Sequence, residues 1–288
     1  MASATSLPMV RAVHVSWLLA LIGICAMYLP SYWVAAHGLW QTDEFGHAPI
    51  ILAVTLWLFW RVREEVHLSP TRPVHALGWP LLVLGALLYC FGRIFFVSSV
   101  EFLSQLFIVG SALSLLKGSA ALRAAWFAVT YLIFMVPLPG TVVDAVTGPL
   151  KQWISAIVVD GLYAAGYPIS RTGVVITIGQ YQLLVADACS GLNSMVSLSA
   201  LGTLIMYVIG RTGLLHNGVM LVSILPIAFV ANLVRVTVLV LVTYHFGDEV
   251  GQGFLHGGAG VVLVLISLAA LFGLDFALLR IRARLALP

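Results

Sequence analysis

"LPIAFVANLVRVTVLVLVTYHFG", Leu225 to Gly247, is an apolar run that carries Asn232 and Arg235 in its interior. A helix needs about 20 predominantly apolar residues to cross the ~30 Å hydrocarbon layer of a membrane, and this run is long enough. A charged side chain within such a span is costly, so it faces a bundle interior or an aqueous cavity rather than lipid. Asn232 and Arg235 are three positions apart and share one helix face. Arg235 stands about ten residues, or roughly 15 Å of helix, below Tyr244 and His245 at the outer end of the run. The alternative to a functional Arg is one that only pairs with a carboxylate or with helix carbonyl ends.

The same reading extends along the chain. Of its 288 residues, 61% are hydrophobic and 9% charged, far from the balance of soluble domains. Eight apolar runs are expected to span the membrane: 13–36, 47–61, 75–92, 94–116, 121–138, 188–209, 214–246 and 255–279. The expected fold is an all-α integral membrane protein, a single polytopic domain over 1–288 with little left for a soluble domain. The first run is longer than a signal-peptide core and lacks a small-residue cleavage site, so it reads as a retained span. A net charge of +3 without a basic patch gives no reason to expect nucleic acid.

Lys and Arg set the orientation. With a cytoplasmic N-terminus, ten of the 14 fall inside (Arg11, Arg61, Arg63, Arg72, Lys117, Arg123, Arg211, Arg280, Arg282 and Arg284). Only Arg93, Lys151, Arg171 and Arg235 do not, which places both chain ends in the cytoplasm. Two hydrophilic segments then lie outside, on the periplasmic face of a Gram-negative cell. One is "HGLWQTDEFGH", His37 to His47; the other is 139–187. Within the latter, "TVVDAVTGPLKQWISAIVVDGLYAAGY", Thr141 to Tyr167, suits helices lying along the membrane surface. "GVVITIGQYQLLVA", Gly173 to Ala186, has β-branched residues beside a Gly-Gln pair and predicts a short hairpin turning at Gly179. It must stay outside the hydrocarbon, where an open sheet edge has no partners.

After the hairpin comes "VADACSGLNSM", Val185 to Met195. Cys189 falls at the predicted N-terminus of the sixth span, where unpaired N–H groups and the helix dipole favour a thiolate, the nucleophilic form of the side chain. Asn193 lies four residues on, over the same face. Asp187 and Ser190 serve equally well as helix caps. Cys25 and Cys90 read as small buried hydrophobes, and three scattered cysteines support neither a disulfide framework nor a metal site. No cofactor is expected. The outer loop "FGDEVGQGFLHGGAG", Phe246 to Gly260, brings His256 to the same membrane level as Cys189. His245, at a span end where aromatic-belt residues are ordinary, is the second choice. The three suit acyl transfer: Cys189 attacks a carbonyl, His256 exchanges protons with thiol and leaving amine, and Arg235 stabilises the oxyanion with a charge that cannot be lost.

Several blocks together resemble the exosortase/archaeosortase family of multi-spanning membrane proteins. "ADACSGLNS" resembles the family's cysteine block, "PIAFVANLVRV" its Asn-x-x-Arg block and "HGGAG" its His-x-x-x-Gly block. "TDEFGHAPIILAVTLWLFWRVREEV" is similar to the family's approach to the second span, with Gly46 and Ala48 in place of the commoner Ser and Gly. The stretch from Val136 to Gln180 also resembles the segment before the family cysteine. The likeness is greatest to compact bacterial exosortases such as the type B subgroup. It implies a thiol protease or transpeptidase acting on exported proteins whose C-terminal sorting signal combines a Pro-Glu-Pro motif, a transmembrane helix and a basic tail. It also implies a site on the periplasmic side of the inner membrane. The family's Cys, Arg and His correspond to Cys189, Arg235 and His256. Asn232 follows as a neighbour of the Arg, and His47 matches a family His of open role. A groove for the peptide would be shaped by the segment from Thr141 to Tyr167, with Lys151 and Trp153, and by the hairpin. Membrane lipids are the remaining expected partners; oligomeric state is open.

Two other classes stay open. A transporter would line its pathway with Arg235, Asn232 and Asp275, although the halves show no inverted repeat. A membrane acyltransferase would use similar acyl chemistry.

Overall fold

The computed structural model describes residues 6–42, 45–184, 191–210 and 213–285. The chain divides into two compact units, Met1–Pro139 and Gly140–Pro288.

The first unit is helical. It comprises α1 (Ser6–Ala36), α2 (Ala48–Arg61), α3 (Arg63–Leu68), α4 (His75–Ile94), α5 (Ser98–Leu116), α6 (Ser119–Ala124) and α7 (Trp126–Tyr131), with a 3₁₀ turn at Leu132–Met135. Helices α4 and α5 form a tight pair because glycines recur every seven residues along α4: Gly78 meets Leu115, Gly85 meets Ile108 and Gly92 meets Glu101. A β-carbon on Gly92 would come within 2.8 Å of the Glu101 Cα, so only glycine allows this approach. Beside the crossing, Arg93 Nη1 lies 3.3 Å from the carboxylate of buried Glu101, which also accepts a hydrogen bond from Ser31 Oγ. Tyr32 donates to Gln105 Oε1 at 2.7 Å, and the Tyr28 and Ser104 hydroxyls are bonded at 2.5 Å. Arg93, the basic residue of this unit outside its cytoplasmic group by sequence, thus answers a buried carboxylate.

At the opposite end of α5, Arg72 N donates to Lys117 O at 2.9 Å and Val74 N to Ser114 O at 3.1 Å. These bonds draw Arg72 and Lys117 together at one end of the unit.

The second unit contains α8 (Gly140–Ala164), a three-stranded antiparallel sheet of β1 (Ile169–Thr172), β2 (Val175–Ile178) and β3 (Tyr181–Leu184) in that order, and then α9 (Gly191–Ile209), α10 (Leu214–Phe246) and α11 (Asp248–Leu285). The expected turn is present: Ile178 pairs with Tyr181 across Gly179, whose φ is +55°. A preceding strand, β1, extends the hairpin into a sheet by pairing Thr172 with Val175. Ile176 and Ile178 alternate inward, both fully buried. They join Ile154, Val158, Val159 and Leu162 of α8 and Val236 and Val240 of α10 in one apolar core.

Six of the described helices are long and apolar enough to cross a membrane, in segments at 15–41, 75–94, 98–116, 140–164, 215–246 and 264–281. The runs expected at 47–61, 121–138 and 188–209 form shorter apolar helices at 48–61, 126–135 and 196–209. The fifth run is broken at Ala125, whose φ and ψ of −96° and 9° separate α6 from α7. The stretch expected as several surface helices is the single helix α8, 25 residues long. The glycine-rich segment expected as a loop before the last span is helical from Asp248 onward. Cys25 is half-buried, but Cys90 is exposed on α4, facing away from the protein interior.

Candidate active site

Helix α10 buries one face along its whole upper half. Ala228 and Ala231 pack with Leu198 of α9 and Ile266 of α11, whereas Val236 and Val240 pack with α8 and the sheet. At 100° per residue, Asn232 points between these two contacts and Arg235 continues the Ala228–Ala231 face one turn higher. Both are buried, at 1% and 7% exposure, as the cost of polar groups in an apolar span demands.

Leu198, Ala228, Ala231 and Ile266 define a common level across the three helices. Counting 1.5 Å per residue from it toward the α10–α11 turn, Arg235 stands about 6 to 10 Å higher, α9 begins at Gly191 about 10 Å higher, and the backbone of His256 lies about 15 Å higher. The start of α9, Arg235 and the backbone at His256 therefore occupy neighbouring turns of three adjacent helices.

The sheet marks one end of these helices. Helix α10 has 33 residues and α11 has 38, about 50 and 57 Å of helix against a ~30 Å hydrocarbon layer. The sheet joins the apolar core to which α10 contributes from Phe229 to Tyr244, and its edges need partners other than lipid. Arg235 lies beside that core, about 7 Å past the middle of α10 toward its sheet end. Trp153 stands exposed on α8, and Lys151 is half-buried.

Cys189, Asp187 and Ser190 lie outside the described residues. Asn193 is in the first turn of α9 and His256 in the third turn of α11, where only the backbone path is described. His245, at the last turn of α10, belongs to an aromatic group: its ring stacks edge-on with Tyr167 and Tyr244, and its Nε2 lies 3.4 Å from Tyr167 Oη. His47 is in the first unit, half-buried at the residue before α2.

Sequence reasoning missed two features of the second unit. One is the approach of Gly251 to Thr243, which brings the start of α11 against the end of α10. The other is the buried pair of His216 Nε2 and Asp275 Oδ1, 2.8 Å apart. A histidine and an aspartate inside two predicted spans were the available signal. Asp275 is more than about 20 Å of helix from Arg235. The apolar layers of Leu198 with Ala231, and of Met220, Ile224 and Leu271, lie between them. Among the described residues, no three His, Cys, Asp or Glu side chains gather as a metal site.

The model of the transmembrane exosortases matches residues 39–273. The chain belongs to the transmembrane exosortase family. The match spans Cys189, Asn232, Arg235 and His256 in chain order, and it includes both units. No curated protein and no solved structure matches this exosortase-family chain.

Proposed function

We propose that this exosortase-family protein is a membrane cysteine protease or transpeptidase that cleaves C-terminal sorting signals of exported proteins at the periplasmic face of the inner membrane. The observation that carries the reading is the buried Asn232–Arg235 face, in the half of α10 toward the sheet and level with the start of the helix that follows Cys189. A signal whose transmembrane helix lies in the bilayer leaves it at this level, so its peptide bond meets the site without being unfolded across the membrane.

In this mechanism the Cys189 thiolate attacks the scissile carbonyl carbon. The resulting oxyanion is stabilised by the Arg235 guanidinium. Collapse expels the amine, which takes a proton from His256, and leaves a thioester on Cys189. Water or an acceptor amine then attacks the thioester, with His256 as base, and the thiolate is restored. Asn232 positions Arg235; Asn193, Asp187 and Ser190 organise the start of α9. The exposed Trp153, Lys151 and the sheet form a wall for the peptide. His47 has no assigned step.

The test is processing in cells of a tagged protein ending in a Pro-Glu-Pro motif, a transmembrane helix and a basic tail. Cys189→Ala and Cys189→Ser should each abolish cleavage. Wild-type processing in both variants excludes the mechanism.

A further inference from the structure

We propose that the first unit carries a binding site for the headgroup of an anionic phospholipid, built around Lys117 at the basic end of α5. A cavity of about 380 Å³ opens there, lined by Trp17 of α1, Phe59 of α2, Arg63, Val66 and His67 of α3, and Leu113 and Lys117. Its lining divides by chemistry into basic groups contributed by α3 and the end of α5, and an apolar wall continuous with the buried cluster of Val62, Leu113, Ala125 and Val129.

Lys117 is the decisive residue. It is 7% exposed, and its ammonium donates to His67 O at 2.8 Å and to Ser69 O at 3.4 Å. Among the described residues no carboxylate lies within ion-pair distance of it. Burying a cation against carbonyl dipoles alone is costly. An ammonium has three donors, and two are used, so one remains for an anion. Arg63 supplies a second cation at the rim. Its guanidinium sits 4.2 Å from the Trp60 ring centroid and donates to Trp60 O at 2.8 Å. Its own carboxylate partner, Glu64, is 3.4 Å away and largely exposed, which makes that pair weak and replaceable.

The same lining selects among anions. A basic cavity repels a positively charged peptide tail and attracts a phosphodiester. Trp17, Phe59 and Leu113 give the glycerol and upper acyl chain an apolar wall that a free phosphate does not use. The occupant is therefore a lipid such as phosphatidylglycerol, held with its phosphate between Lys117 and Arg63 where the helices reach the membrane surface.

The test uses the full chain purified in detergent, with bound lipid counted by native mass spectrometry during titration with phosphatidylglycerol or phosphatidylcholine. The wild type should retain phosphatidylglycerol about fivefold better, the weight of one near-surface cation. Lys117→Gln should remove that preference. Arg63→Gln, at the exposed rim and harmless to folding, should reduce it at least twofold. Arg123→Gln, a basic residue of α6 outside the cavity lining, should leave it unchanged. Equal retention of the two lipids by the wild type, or a preference untouched by both cavity variants, overturns the proposal. So does displacement of phosphatidylglycerol by millimolar inorganic phosphate, which would assign the cavity to a soluble anion.

Discussion

Gly251 of α11 lies so close to Thr243 of α10 that a β-carbon added to it would stand 3.1 Å from the Thr243 Cβ and closer still to the hydroxyl. Thr243 is fully buried, so it has little room to yield. This contact sets the approach of the helix bearing His256 to the helix bearing Arg235, one to two turns from each. Gly251→Ala should therefore cost about 1–3 kcal/mol of stability through overpacking. Processing should fall more than the unfolding midpoint predicts, because the helices part next to the site. Pairing it with Thr243→Ala, which removes the hydroxyl, should recover part of both losses; a strictly additive double variant would show that the contact is not the cause.

Arg235 should not tolerate lysine. A guanidinium presents a rigid planar fork, whereas an ammonium is a point charge on a flexible stem. Arg235→Lys and Arg235→Ala should each lower the rate of processing by about 100-fold or more, the usual effect of losing one oxyanion donor. The protein should still be recovered folded in the lysine variant. Rate measurements on purified protein with a synthetic signal decide this.

His245→Ala should keep processing and His256→Ala should lose it. The His245 ring contacts Tyr167 and Tyr244, so its removal should cost about 1 kcal/mol of stability, readable as a lowered unfolding midpoint. Loss of activity in His245→Ala alone would reverse the assignment of the acid/base group.

Arg93→Ala should destabilise the first unit by about 1.5–3 kcal/mol, because it leaves the buried Glu101 carboxylate without its cation. Adding Glu101→Gln should restore most of that loss, since the amide still meets Ser31 without a charge. Thermal unfolding of the single and double variants measures the difference.

The helical membrane fold was legible because composition and run length report burial in lipid directly. Arg235 and Asn232 stood out for the same reason, and both are buried as their cost in an apolar span requires. The β-branched residues beside Gly179 make the hairpin legible, but β1 is hidden: Ser170, Arg171 and Thr172 form an exposed edge strand with no apolar period. The segment from Asp248 to Gly253 reads as a loop because each of its glycines disfavours helix by about 1 kcal/mol. Packing overrides that preference, and at Gly251 the missing side chain is what allows the packing. Mixed three- and four-residue apolar spacing in α8 suits separate surface helices, yet Ile154, Val158 and Leu162 join it to the sheet core as one helix. Which residues α9 brings beside Arg235 depended on helix level, and no local pattern in the sequence encodes that.

The central claim is that Cys189 forms a covalent bond to its substrate. Incubation of the purified protein with a sorting-signal peptide, rapid acid quenching and mass spectrometry of the proteolytic fragment containing Cys189 test it directly. The account predicts an acyl adduct on Cys189 that hydroxylamine removes and that accumulates in His256→Ala whenever that variant still acylates. An unmodified Cys189 during active turnover, or wild-type turnover by Cys189→Ala, would contradict it.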